Sequence, residues 1–179
     1  MKTKFLLTTT FALAALTLSA EDARWWKGNL HTHSLWSDGD DYPEMIADWY
    51  RSSGYHFLAI SDHNVLSEGQ RWIHREKNAG GLRAFEKYLK RFGNDWVEHR
   101  VVEGVPQVRL KTYVEYRSKI DVPGNFLLMQ SQEITDQFQG LPVHLNATNL
   151  KKQIPPQGGA GVAATMQKNI DAVLAQRKA

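Results

Sequence analysis

Six residues, YHFLAI at 55–60, stand between Gly54 and the polar segment SDHN, and they restrict the fold more than any other stretch. A short apolar run with such flanks reads as a strand buried on both faces. Ahead of it lies one helix-length segment. Asp41-Tyr42-Pro43 opens it with proline in the first turn, Met45, Ile46, Trp49 and Tyr50 follow at helical spacing, and Gly54 stops it. Ahead of that, Trp25 to Leu30 is a second strand-like run. Strand, helix and strand in this order and length predict a βαβ unit, hence an α/β fold with a parallel sheet.

The alternation breaks between residues 67 and 111. Leu82, Phe85, Leu89 and Phe92 lie on one side of a helix closed by Gly93, and WVEHRVV with VPQVRLKT, split by Glu103-Gly104, predicts a hairpin. Thr112 and Glu115 have the spacing of a capping box, opening a short helix to about Ile120. Pro123-Gly124 leads into a third strand, Phe126–Ile134, and a fourth is expected around Val143–Ala147. IPPQGGAG reads as a loop, and Val162 to Ala175 as a closing helix.

Residues 1–20 carry Lys2 and Lys4, then an apolar run from Phe5 to Leu18, then Ser19-Ala20. That order reads as a secretory signal peptide, so the chain is expected to be exported, to the periplasm or outside the cell, without a membrane anchor after cleavage. Charge is counted without it. Removing Lys2 and Lys4 from 22 basic residues leaves 20 against 19 acidic ones, which gives no support for nucleic-acid binding. The absence of cysteine excludes disulfides and thiolate metal sites.

The remaining chemistry gathers where strands end. GNLHTHSLWSDGD at 28–40 places His31 and His33 after the first strand, with Asp38 five positions on. Asp62 and His63 follow the second strand, Glu133 closes the third, and His144 lies on or beside the fourth. Residues i and i+2 of a strand share a face, so His31 and His33 can bind one ion. Asp38 with His63 can hold a second, and Glu133 has two oxygens with which to bridge. Imidazole with carboxylate suits zinc, iron or manganese alike. Taken singly, an HxH also fits hydrogen-bonded strand-end histidines, Asp-Gly-Asp an ordinary turn, and Asp62-His63 a helix cap. It is their recurrence at successive strand ends that points to metal. His56, His74 and His99 fit no such group and read as structural or surface.

With HTHSLWSDGD, ISDHN, SQEITD and VHLNATN in place, the chain resembles the PHP (polymerase and histidinol phosphatase) domain family from about Lys27 to Leu150. The resemblance implies a distorted (β/α)7 barrel holding two or three divalent ions. On it His31, His33, Asp38, His63, Glu133 and His144 match metal ligands, Glu133 as the bridge, and Asp62 orients His63. It implies an exported phosphoesterase that hydrolyses small phosphate esters through hydroxide activated by the ions. The family's later ligands, another histidine and an Asp-x-His, have no counterpart after His144. Residues 21–179 are therefore expected to be the N-terminal portion of the domain, about four of seven strands with an inserted helix and hairpin. A remnant that binds metal or phosphate without catalysis, and an amidohydrolase-type metal hydrolase, are the alternatives; SDG and the Asp-His pair argue against the latter.

Overall fold

The computed structural model describes residues 23–178, so the signal-peptide expectation for residues 1–20 lies outside the described residues. The elements run β1 (Gly28–Asn29), α1 (Pro43–Ser52), β2 (Phe57–Ile60), β3 (Arg71–His74), α2 (Gly81–Phe92), β4 (His99–Val102), β5 (Val105–Leu110), α3 (Tyr113–Ile120), β6 (Leu127–Phe138), β7 (Leu141–Thr148) and α4 (Val162–Lys178). The fold is mixed α/β, with four helices among the described residues and a curled four-stranded main sheet.

That sheet has the order β1-β2-β6-β7. β1 is parallel to β2, and β2 to β6, in register from Phe57↔Leu127 to Ile60↔Gln130. β6 then runs eight residues past the end of β2 and turns back. Its partner there is β7, antiparallel from Ser131↔Thr148 to Phe138↔Leu141. Gln139 and Gly140, the two residues between them, both have positive φ, +52° and +77°. A two-residue turn of that kind joins only antiparallel neighbours. The expected fourth parallel strand is thus the return arm of a hairpin, and Glu133 lies inside a twelve-residue strand rather than at its end.

The capping box is present: Thr112 Oγ accepts from the Glu115 backbone N–H, and the Glu115 carboxylate accepts from that of Thr112. Gly93 ends α2 at φ +77°, and β4 and β5 form the expected hairpin across Glu103-Gly104. Three local expectations change. β1 pairs over two residues only, because it is an edge strand and Trp25 beyond it is almost fully exposed. A third inserted strand, β3, adds to the hairpin in the order β3-β5-β4. The helix α1 buries Pro43, Glu44, Ala47 and Asp48, while Trp49 is exposed.

Met45, Ile46 and Tyr50 stay partly buried against the core, and the side with Glu44 and Asp48 is buried as well because α2 and the segment after it bring matching polar groups. Tyr88 Oη and Trp96 Nε1 both donate to Glu44 Oε1, and Arg91 Nε donates to Asp48 Oδ2 at 2.7 Å. A buried carboxylate is tolerated when donors meet it. Burial still pushes the Glu44 carboxyl above its usual range, against the pull of those two donors.

Among the described residues three clusters form the core. Leu58, Ile60 and Leu128 of the sheet, with Phe126 just ahead of β6, pack with Ala47, Tyr113, Tyr116 and Ile120 from α1 and α3. Ile134 and Ala147 pack with Leu66, Leu150 and Ile154 beside α4. The inserted region packs Phe85, Tyr88, Val108 and Leu110 onto Leu35, Trp36 and Tyr42. Trp36 joins insert and sheet: its indole N–H donates to the Lys111 carbonyl at 3.0 Å, and its own carbonyl accepts from Arg71 Nη1 at 2.5 Å.

Candidate metal centre

The site lies just past the C-terminal ends of β1 and β2, where β6 leaves the parallel ladder. The chain after β1 is tied down by Asn29, whose Oδ1 accepts from the His31 N–H at 3.1 Å. The Asn29 amide donates to Tyr50 Oη at 2.6 Å and Thr32 Oγ1 at 2.7 Å. The Thr32 carbonyl accepts from the Ser61 N–H at 2.7 Å, which binds the HTH segment to the end of β2.

The segment after β2 is laid along β6 in the same way. Glu133 N–H donates to the Asp62 carbonyl at 3.1 Å, and Asn64 N–H to the Glu133 carbonyl at 3.0 Å. The Asn64 side chain then takes the place of a strand, accepting from the Thr135 N–H at 2.9 Å and donating to its carbonyl at 2.8 Å. Ser131, Glu133 and Thr135 alternate with Gln132, Ile134 and Asp136, so the first three face the histidines.

Glu133 is the centre of the group, with its side chain only 4% exposed. Its Oε2 lies 3.0 Å from His31 Nε2 and 2.7 Å from His33 Nε2, and its Oε1 lies 2.6 Å from His144 Nδ1. His63 Nδ1 is 3.4 Å from Oε2. The two imidazole nitrogens of His31 and His33 are themselves only 3.1 Å apart. Four imidazoles surround one carboxylate. Burial would raise the Glu133 carboxyl, but hydrogen bonds from His31 and His144 and the nearness of His63 outweigh it and hold the group below the usual glutamate range.

Asp38 completes the constellation from the loop. Its Oδ1 is 2.8 Å from His33 Nδ1 and its Oδ2 is 3.4 Å from His63 Nε2. Burial acts to raise this carboxyl too, and His33 and His63 lower it further than burial raises it. The turn holding Asp38 demands glycine next door. A Cβ on Gly39 would stand 2.5 Å from the His33 carbonyl carbon and oxygen, closer than real atoms approach.

Among the described residues three overlapping ligand groups result: His31, His33 and Glu133; His33, Asp38 and His63; and His63, Glu133 and His144. Within each group one ligand atom per residue lies within 4.8 Å of the others, a spacing one ion spans. The donor set, imidazole nitrogen with carboxylate oxygen, fits a divalent cation of the zinc, manganese or iron kind. All six expected ligands are therefore brought together. His144 arrives by hairpin register, opposite Thr135, rather than by a parallel strand end.

Asp62 is close by but makes different contacts from those expected. Its Oδ1 accepts from the Ser34 N–H at 2.8 Å and Ser37 Oγ at 2.6 Å, and its Oδ2 from Ser34 Oγ at 2.7 Å. It thus holds the loop bearing Asp38 rather than the His63 ring. Burial raises its carboxyl despite those three donors. Ser34, Ser37, Asn64 and Thr135 were not anticipated as site residues. Only Thr135 left a signal, its spacing of two from Glu133. His56 and His74 accept backbone N–H groups, from Lys27 and from Glu76 and Lys77, and His99 lies edge-on to Phe85. None of them approaches the site.

An apolar hollow of about 280 Å³, lined by Trp26, Phe57, Val122, Pro123, Phe126 and Leu127, opens at the other end of the strands and shares no residue with this group. No described helix is long and apolar enough to cross a membrane. No model of a known protein family matches the chain, and no curated protein matches it.

Proposed function

We propose that the chain is a metal-dependent hydrolase of the PHP type, acting on small phosphate esters, with a part-barrel built by its four-stranded sheet. The observation that supports it most is Glu133. A nearly buried carboxylate, met by three imidazole nitrogens at 2.6–3.0 Å with a fourth at 3.4 Å, is the arrangement a bridging metal ligand requires. The order HxH, Asp, Asp-His, Glu, His along the chain supports the same reading through the resemblance.

The chain's own residues have distinct tasks in it. Glu133 supplies negative charge in a place where water cannot replace it. His31, His33, His63 and His144 supply imidazole nitrogens, placed by the segments after β1 and β2 and by the β6–β7 register. Asp62 keeps the Asp38 loop against this group through Ser34 and Ser37. Divalent ions held there would supply the positive charge that draws phosphoryl oxygens and acidifies water. The exposed rim at His31 and Asp38 leaves that side open to an anionic substrate.

That openness also favours a second reading, binding of metal or phosphate without turnover. Elemental analysis of purified protein, paired with phosphomonoester assays in zinc and in manganese, separates the two. Ions retained with hydrolysis support the first reading, and ions retained without it the second. A His31→Ala/His33→Ala variant that keeps full metal content sinks the first reading and the metal-binding form of the second.

A further inference from the structure

The ladder between β2 and β6 ends at Ile60↔Gln130, and past it a single bridge, His63↔Glu133, ties β6 to the segment after β2. His63 and Glu133 thus stand where regular strand pairing has run out. Two side-chain amides take over there. On the edge of β6, the Asn64 amide accepts from the Thr135 N–H at 2.9 Å and donates to its carbonyl at 2.8 Å. On the face away from the imidazoles, the Gln132 amide does the same for Ile154, accepting from its N–H at 2.9 Å and donating to its carbonyl at 2.7 Å. Both amide orientations are fixed by their partners, since a backbone N–H only donates and a carbonyl only accepts.

We infer that Asn64 and Gln132 are positioning residues of the centre: their amides fix the backbone of His63 and Glu133 from two sides without offering a ligand themselves. Three observations carry this. The bonds close a ring around Glu133. Asn64, next after His63, donates its N–H to the Glu133 carbonyl at 3.0 Å, and its own carbonyl accepts from Gln153 Nε2 at 2.6 Å. Ile154 follows Gln153 and is held by Gln132, which directly precedes Glu133. Second, Gln132 is 0% exposed, and an amide is buried at that depth only where its hydrogen bonds are met. Third, Ile154 is a firm anchor, packed in the cluster of Leu66, Ile134 and Leu150.

The φ of Asn64 is +50°, a conformation that glycine also adopts. Glycine would meet the backbone requirement there and leave the amide's task undone, so the two are separable. That the held backbone serves a metal centre rests on the metal reading above; the hold itself does not.

Asn64→Gly and Gln132→Met each remove one amide, the first keeping the left-handed backbone and the second roughly the side-chain length. Amide hydrogen exchange of metal-free protein is read at Glu133 and at residue 64, whose N–H groups keep their own acceptors, the Asp62 and Glu133 carbonyls. Relative to Leu58 and Leu128 in the core, both should exchange roughly 10-fold or more faster in each variant, two hydrogen bonds having been lost. Zn²⁺ titrated into the folded variants should bind roughly 10–100-fold more weakly. A Glu98→Gln/Glu115→Gln variant, altered in the insert instead, should bind Zn²⁺ as the unsubstituted protein does. Unchanged exchange at Glu133 and residue 64 in either folded variant overturns the inference, and so does unchanged Zn²⁺ affinity in Asn64→Gly. Should Gln132→Met not fold, Asn64→Gly decides. A protein that takes up no Zn²⁺ removes the metal reading, and the exchange rates then decide the hold on their own.

Discussion

Two residues that bind nothing themselves set the geometry of the site. Asp62 ends three hydrogen bonds from Ser34 and Ser37, and all but 2% of the residue is buried. Asp62→Ala strands those donors and should lower stability by roughly 2–4 kcal/mol, read as a fall in the urea midpoint. Gly39 is confined by the His33 backbone 2.5 Å from where a side chain would begin. Gly39→Ala should push the Asp38 turn outward, costing about 1–3 kcal/mol in the same measurement. It should also weaken metal uptake more than a surface Gly→Ala does. The ligands themselves were readable because their spacing is a property of neighbouring residues. The partners of Asp62 were not, since Ser34 and Ser37 look like any serines until the loop folds over β2.

Between elements, charge pairs fasten the insert. Glu98 on the approach to β4 and Glu115 on α3 both meet Arg109, and Glu98 also meets Lys111 Nζ at 2.6 Å. The Arg109 guanidinium, followed for Glu98 by Lys111, holds each carboxyl near about 2 against an ordinary 4.5. A depressed folded pKa contributes stability above the unfolded value and loses it as pH falls through the folded one. Stability should thus decline between about pH 4.5 and about 2 through this cluster. In a Glu98→Gln/Glu115→Gln variant, urea midpoints measured across that window should fall less steeply; equal slopes would contradict the pairing. Solvent reaches Glu98, so the slope rather than its size is the test. The β6–β7 turn makes a second case. Gly140→Ala at φ +77° should cost about 1–2 kcal/mol and reduce hydrogen-exchange protection along the arm that carries His144.

The molecule as a whole should be stabilised by its ligand. If an ion binds only the folded chain, metal at 100 times its dissociation constant adds about 2.7 kcal/mol. For a chain of this size that is a rise of roughly 5–10 °C in Tm. Chelator should reverse it, and His31→Ala/His33→Ala should abolish it, both visible in thermal melts. The reason is structural: Glu133 ties the ends of β1, β2, β6 and β7 together, so holding the four imidazoles holds the sheet.

Local rules account for what could be read in advance. The βαβ opening, the Thr112–Glu115 cap, the Gly93 stop and the β4–β5 hairpin follow from spacing within short segments, as does the His31–His33 pair, whereas a ligand role for His144 came only with the resemblance. What they left open was orientation across long separations. Whether β7 runs parallel or back depended on two left-handed residues, and a glutamine in the first of them hides a turn that asparagine would announce. That α1 also buries Glu44 and Asp48 depended on Tyr88, Trp96 and Arg91, some forty to fifty residues away, because a carboxylate is buried only where donors wait for it. Sequence spacing can suggest that His63 approaches a metal, but the hydroxyl beside its Nδ1 belongs to Thr135, seventy-two residues further on, and only folding brings the two together.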